Sequence, residues 1–354
     1  MCSAGGSWTG SGADYGTASG RGAATSSDTK GWAFSSACQN FHLMPCVLPD
    51  GPDAPSGFTF RRAGVFLTEC GSRPPTGANP LRTSLRLELR HLEEDGKVGA
   101  GAFRDGRLAG RLFAALHESE VRGRHAWASL ADHGIAEGES PPIYGDLYSV
   151  AGEAWVEAGY RDHYVVVPAA EDVLAAWYGL SFAQQQVHAQ VALEPASLPE
   201  PDGFTLRIGG PEDLDLAMGL AFVIFDHQAS APTWAGAPAP PAEDARASYA
   251  EYLAEDGVAY FVAERGEPLG HLILERVDDG ETELTIAATV PAARGLGVGT
   301  ALTRYALAWA WEQGYRSCIT DWRSANLLAA RFWPSMGFEP TAYRLFRSIT
   351  LTPR

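Results

Sequence analysis

The sequence predicts a mixed α/β protein built twice along its length, with a mostly antiparallel sheet flanked by helices. Three observations carry this: internal matches in a fixed order, alternating strand and helix periodicities, and a glycine-spaced loop between a strand and a helix. The matches come first. "GFTFRRAG" (57–64) parallels "GFTLRIGG" (203–210), and "AFRDGRLAG" (102–110) parallels "VAERGEPLG" (262–270), with Gly106 over Gly266 and Gly110 over Gly270. Further on, "EAGYRDHYVVV" (157–167) parallels "EQGYRSCITDW" (312–322), and "VLAAWYGLSF" (173–182) parallels "LAARFWPSMGF" (328–338). The offsets drift from 146 to 160 to 155 while the order holds, which is the pattern of a duplication followed by insertions. Residues 1–56, rich in Gly, Ser, Ala, Thr and Pro, read as a disordered or loosely attached extension. The predicted units are then 57–192 and 204–350, joined by the proline-rich acidic linker 193–203.

The C-terminal unit has the clearer periodicities. "FTLRI" (204–208) alternates like a strand, and 212–225 and 242–256 read as helices that open on acidic residues. A hairpin turns at Arg265-Gly266, and "TELTIAATV" (282–290) is a long strand. After the glycines, Val298, Leu302, Tyr305, Ala306 and Trp309 recur at helical spacing up to Gly314. Strand 316–322, helix 325–336 and strand 342–349 complete the unit. In the N-terminal unit, "HAWASLADHGI" (125–135) reads as one strand.

Composition excludes several classes of function. The chain of 354 residues is 45% hydrophobic and 20% charged, as expected of a globular protein. Its apolar runs fall short of the ~20 residues that cross a bilayer, and "MCSAGGSWTGSG" lacks a basic leader and apolar core. The expectation is a cytoplasmic protein with no membrane partner, a monomer or homodimer. A net charge of −16 argues against nucleic acid, yet residues 291–354 hold eight arginines against three acids. That basic lobe suits a small anionic ligand. Four of the five cysteines lie in the first 70 residues with no C-x-x-C pair, and Cys38, His42 and Cys46 fit no common zinc spacing, so no metal is expected.

The loop "PAARGLGVGTAL" (291–302) is where chemistry enters. A Walker loop needs a lysine, but position 300 is threonine and no lysine follows Lys97. A dinucleotide turn sets its glycines directly after the strand, whereas here "PAAR" intervenes and Leu302 takes the third glycine's place. What remains is a loop whose backbone N–H groups face a concavity at a helix N-terminus, with Arg294 adding charge: a pyrophosphate cradle without metal or lysine.

Arg294-Gly295-Leu296-Gly297-Val298-Gly299 resembles the R/Q-x-x-G-x-G/A acetyl-CoA loop of the GNAT acetyltransferases. Asn326 and Ala329 resemble that family's N-x-x-A, and Gly337-Phe338 its closing G-F, so the resemblance covers about 203–350. The doubled arrangement is similar to the tandem GNAT proteins of actinobacteria, mycothiol synthase among them. The resemblance implies two tandem GNAT folds, the second binding acetyl-CoA as cosubstrate through Ala288, Thr289, Val290, Arg294, Gly295, Leu296, Gly297, Val298, Gly299, Thr300 and Asn326. The first unit departs from the pattern. Its strand is followed by "AEGESPPIYGD", with two prolines and with Glu137, Glu139 and Asp146 where phosphates would sit, so it is expected to be degenerate.

The resemblance also implies direct transfer of an acetyl group to a small amine in a ternary complex. The family's tyrosine acid would stand seven residues after Asn326, where this chain has Trp333. Water or another hydroxyl, Tyr343 or Tyr305, takes its place, unless the thiolate leaves unassisted. Candidate bases are Glu283, expected to be the main one, with Asp321 and the Asp226-His227 pair. A non-catalytic acyl-CoA-binding module is the alternative from another class, and a mycothiol-synthase-like acetyltransferase is a narrower enzymatic one.

Overall fold

The computed structural model describes residues 87–119, 122–235 and 241–350. The extension 1–56, the match at 57–64 and the Cys38, His42, Cys46 set lie outside the described residues. The N-terminal half runs β1 (Leu87–Glu94), β2 (Lys97–Arg104), β3 (Arg107–Ser119), β4 (Gly123–Ala128), β5 (His133–Ile135), α1 (Ile143–Glu157), β6 (Asp162–Pro168), α2 (Glu171–Gly179) and β7 (Ala183–Ala192). The C-terminal half runs β8 (Thr205–Gly209), α3 (Leu214–Ala229), α4 (Ala242–Leu253), β9 (Val258–Glu264), β10 (Pro268–Arg276), β11 (Glu281–Thr289), α5 (Val298–Glu312), β12 (Ser317–Arg323), α6 (Leu327–Ser335) and β13 (Glu339–Ser348). Thus hairpin, strand, helix, strand, helix, strand occurs twice, and the elements read from sequence in the C-terminal half are found within a few residues of their expected bounds.

The strands of the described residues join one sheet in the order β1-β2-β3-β4-β6-β13-β7-β12-β11-β10-β9-β8, with β5 paired to β3. The order is symmetric about its centre, and its two parallel pairs, β4 with β6 and β11 with β12, occupy equivalent places. The last strand of each half crosses over: β7 pairs with β12, and β13 pairs with β6. β7 and β13 then pair with each other at the centre, Ala342 facing His188 and Arg344 facing Gln186. The linker 193–203 therefore divides the chain without dividing the sheet.

Local chemistry explains the shared hairpins. The β2–β3 turn places Asp105 and Gly106 at φ 52° and 78°, the left-handed pair that a two-residue hairpin requires. One sheet face is covered by α1 and α2, whose Leu147, Trp155 and Trp177 cluster with Leu112 and Val165, and by α5 and α6, whose Leu302, Ala306 and Trp333 cluster with Leu272 and Phe338. Tyr343 of β13 packs against both of these clusters. On the other face, α3 and α4 cover Tyr260, Val262, Ile273 and Ile286. β1 enters β2 directly through Asp95-Gly96, so nothing equivalent to α3 and α4 separates those two strands.

The expected single strand 125–135 is a correction. Asp132 accepts the Ser129 N–H at 2.8 Å, a helical turn forms over 130–132, and the chain returns as β5. This side-chain bond competes with the ladder and wins, because a short polar side chain close to the backbone needs no partner strand.

Leu345 of β13 is fully buried in the core of the N-terminal half. Leu345→Ala is expected to cost about 2–5 kcal/mol in urea unfolding, with both halves still lost in one transition. A split transition that shifts one half alone would contradict the crossover as a coupling element.

Candidate active site

The site begins where a ladder stops. β11 and β12 pair from Glu281 and Ser317 to Leu284 and Thr320, then part, although β11 continues to Thr289 and β12 to Arg323. Thr320 Oγ1 donates to the Leu284 carbonyl at 2.9 Å, so the last rung is closed by a side chain. β11 meanwhile stays paired with β10 and carries an extra residue at Thr285, between the pairs Leu274–Leu284 and Ile273–Ile286. The bulge changes the phase of the strand: Leu284 packs under α5, and Ile286 packs under α3 and α4.

A cavity of about 990 Å³ passes through the parted strands. On the α5 and α6 side it is lined by Val298, Leu302, Ala329, Phe332 and Trp333, and on the α3 and α4 side by Ala221, Ile224, Phe225, Tyr249 and Tyr252. One opening thus joins two chambers on opposite faces of the sheet.

The glycine loop forms the wall of the first chamber. Gly297 caps α5 at φ 81°, a conformation that favours glycine, and a Cβ there would meet nothing within 4 Å. Ala301 makes the first bond of the helix, to Gly297, so the N–H groups of Val298, Gly299 and Thr300 precede the ladder and face the cavity edge. Arg294 is exposed, lines the cavity, and makes no ion pair or side-chain hydrogen bond among the described residues. Donors without partners, a helix N-terminus and a free guanidinium fit a pyrophosphate. Leu296 points outward at 56% exposed and is not in the lining. Ala288 and Thr289 line the cavity, whereas the Val290 N–H is committed to the Leu269 carbonyl at 3.0 Å. Strand alternation therefore turns the backbone of Thr289 and Ala287 toward the parted side.

Asn326 lines the cavity as the cap of α6, accepting the Ala329 N–H at 3.2 Å, which accounts physically for the N-x-x-A spacing. His227, at the end of α3, donates its Nε2–H to the same oxygen at 3.0 Å, tying the two chambers together. Asp226 beside it is exposed. Trp333 is 7% exposed and stacks edge-on against Phe332 and Phe338 at 4.9 and 5.4 Å. It is packed in the cavity wall.

The candidate acid–base residues separate. Glu283 pairs with Ile319 in the closed part of the sheet, below the parting, and is not in the cavity lining. Tyr343 and Tyr305 are also absent from the lining: Tyr343 is packed in the central seam, and Tyr305 lies against Phe261. Asp321 is the first β12 residue beyond the last rung and lines the cavity. Burial pushes its carboxyl up to about 6, against the pull of Arg344 and Arg323 and a hydrogen bond from Gln186.

Sequence reasoning missed the other polar groups of the second chamber. Tyr252 donates to Glu275 at 2.9 Å and lies 2.9 Å from Thr285 Oγ1. His271, fully buried beside Tyr260, lines the cavity, and burial pushes it down to about 3, so it is neutral. Arg323 lines the cavity two residues beyond Asp321. Only pairing register reveals these, since they come from four strands and a helix.

The equivalent region of the N-terminal half is closed. β4 and β6 part after Ala128 and Val165, but His133 donates its Nε2–H to the Val166 carbonyl at 2.7 Å and fills the gap with Tyr144 and Trp177 around it. Pro141 and Pro142 supply no N–H at the start of α1, and Ile143, Tyr144 and Gly145 donate to Ser140, Pro141 and Pro142. Glu139 is held by Arg104 at 2.8 Å, which keeps its carboxyl below the usual range.

Among the described residues no three His, Cys, Asp or Glu gather as a metal site, and no helix is long and apolar enough to cross a membrane.

Comparison with known proteins agrees with this geometry. Residues 224–338 match the acetyltransferase (GNAT) family. Uncharacterised N-acetyltransferases of Mycobacterium tuberculosis and Mycobacterium bovis are 32% identical over 102 residues, 28% of this chain and 65% of theirs. The chain thus spans about 65% of the length of those curated relatives. A GCN5-related N-acetyltransferase from Sphaerobacter thermophilus superposes with a TM-score of 0.52 at 15% identity, covering 73% of this chain and 84% of that one, a likeness of fold. A tandem GNAT protein from the clavulanic acid biosynthesis pathway gives a TM-score of 0.45 at 16% identity, over 74% and 86%. The match to the GNAT acetyltransferase family thus falls on the segment 224–338, which holds the parted strands and the glycine loop.

Proposed function

We propose that this protein is an acetyl-CoA-dependent N-acetyltransferase acting on a small amine, with the reaction carried by the C-terminal half. The observation that supports it is the cavity joining a loop of free N–H donors to a buried carboxylate through parted strands. The loop from Arg294 to Thr300 holds the pyrophosphate, and the β11 backbone at Ala287 and Thr289 holds the pantetheine arm and polarises the thioester carbonyl. The amine enters from the α3 and α4 side.

Asp321 accepts a proton from the amine. Its position beside the parting and its raised pKa suit a base that works near neutral pH. The amine nitrogen attacks the carbonyl carbon, the C–N bond forms, the C–S bond breaks, and the proton lost by nitrogen balances that gained by the thiolate. Tyr343 and Trp333 stay in packing roles. A thiol pKa of about 8.5 lets the thiolate leave without a dedicated donor. The N-terminal half, with its gap closed by His133, completes the sheet and binds no acyl-CoA.

Gly297→Glu is expected to weaken CoA binding at least tenfold by calorimetry. Strain at the left-handed backbone should also lower the melting temperature, so binding is measured well below the variant's own midpoint. Unchanged binding would remove the cradle. Thiol release from acetyl-CoA with an amine panel tests the reaction, and CoA binding with no release for any amine would favour a binding module. Because burial raises the Asp321 pKa, its base form is present above about pH 6, and kcat/KM should fall tenfold per unit below it. Asp321→Asn should lower kcat by about 10²–10⁴ and abolish that acid limb. A full limb in Asp321→Asn would place the base elsewhere.

A further inference from the structure

The sheet face that carries Asp321 holds more positive charge than counter-charge. Two rows of side chains cross the central strands in register: Arg344, Gln186 and Arg323 in one, Ala342, His188 and Asp321 in the next. Arg344 is 3% exposed, donates to Gln186 and to Gln185 at 2.8 Å, and lies over the Trp127 ring at 5.4 Å. Arg122, brought by the N-terminal half, lies over the same ring at 5.5 Å. Gln186 bridges Arg344 to Asp321, but no guanidinium forms an ion pair with Asp321 among the described residues.

Arg344 and Arg122 thus have protein neighbours. The Arg323 side chain has none of that kind: among the described residues it makes no hydrogen bond, ion pair or ring contact, although it is half-buried and lines the cavity. Asp321 attracts it through space but forms no hydrogen bond or ion pair with it; an arginine withdrawn from water with its donors unmet is costly, and its planar fork matches a carboxylate or phosphate in two parallel hydrogen bonds. Burial and the neighbouring guanidiniums lower the pKa of Arg344 to about 9, against the opposing pull of Asp321. Arg323 and Asp321 stand two apart on one strand face, roughly 6.6 Å along the strand. That spacing is bridged by one small molecule with an anionic oxygen group a few bonds from an amine.

We infer that the acceptor is an amine that also bears a carboxylate or phosphate, with its anionic group held by Arg323 and its nitrogen facing Asp321. The assignment of that amine as the acceptor rests on the acetyltransferase reading, whereas the anion site does not. Arg323 is then a specificity-determining residue.

Two matched pairs test the inference on the full chain: β-alanine against β-alaninamide, and O-phosphoethanolamine against ethanolamine. With acetyl-CoA, at least one anionic partner should exceed its neutral counterpart at least tenfold in kcat/KM, through KM. Arg323→Gln should bring that ratio near one, whereas loss of a merely structural residue would lower both partners alike and leave the ratio intact. Carboxylate and phosphate preferences read separately identify the anion. In parallel, thermal shifts with CoA present should be larger for the anionic partner, and that difference should vanish in Arg323→Gln. Turnover absent for every amine would overturn the acetyltransferase reading, and the thermal shifts would still decide the anion site. Equal treatment of both partners by the wild-type chain, or a preference that survives Arg323→Gln, would overturn the inference.

Discussion

The rest of the site depends on one hydrogen bond, from Thr320 Oγ1 to the Leu284 carbonyl. A parallel ladder ordinarily continues while both strands have residues to offer, because unpaired buried backbone groups are costly. Here the last rung is closed by a side chain, and the Thr285 bulge rotates the residues from Ile286 onward. Beyond that point the backbone of β11 has β10 on one side and open cavity on the other. A strand edge of this kind inside a sheet has hydrogen-bonding capacity to spare, and an extended, amide-bearing ligand arm is its natural complement. The glycine loop lies at the far end of that edge and Asp321 at its vertex, so the chemistry depends on the position of the rung.

The symmetric sheet shows the alternative outcome of the same architecture. In the N-terminal half the equivalent parting is filled by His133, whose hydrogen bond to Val166 supplies what a ligand would otherwise supply. Two prolines and a set of turn bonds also satisfy the start of α1 from within. That half contributes by packing: β7 lies against β12, β13 lies against β6, and the seam carries Gln186, His188 and Arg344 to the back of the second chamber. Through this crossover one half shapes the second chamber of a cavity that lies in the other.

Much of this is legible in the sequence because it rests on local rules. Gly295, Gly297 and Gly299 specify a glycine-bounded start to the helix behind them. Asn326 and Ala329 specify a cap, and the order of repeats specifies two similar halves. The illegible part depends on register. Glu283 reads as the base because it lies on the strand before the loop, yet Leu284 and not Glu283 is at the vertex, and one residue separates the closed sheet from the open one. Tyr343 reads as a hydroxyl donor, but its face of β13 meets the two helical cores. Arg323, Gln186 and Arg344 are distant in the chain and become neighbours only through the exchange of last strands, which no local pattern announces.

A crystal structure of the full chain with CoA tests the central claim most directly. Pyrophosphate density is expected at the N–H groups of Gly297 to Thr300, with a pantetheine arm between β11 and β12 beyond Thr320. Density beside α1 in the N-terminal half, or an arm that leaves the parted strands empty, would contradict it.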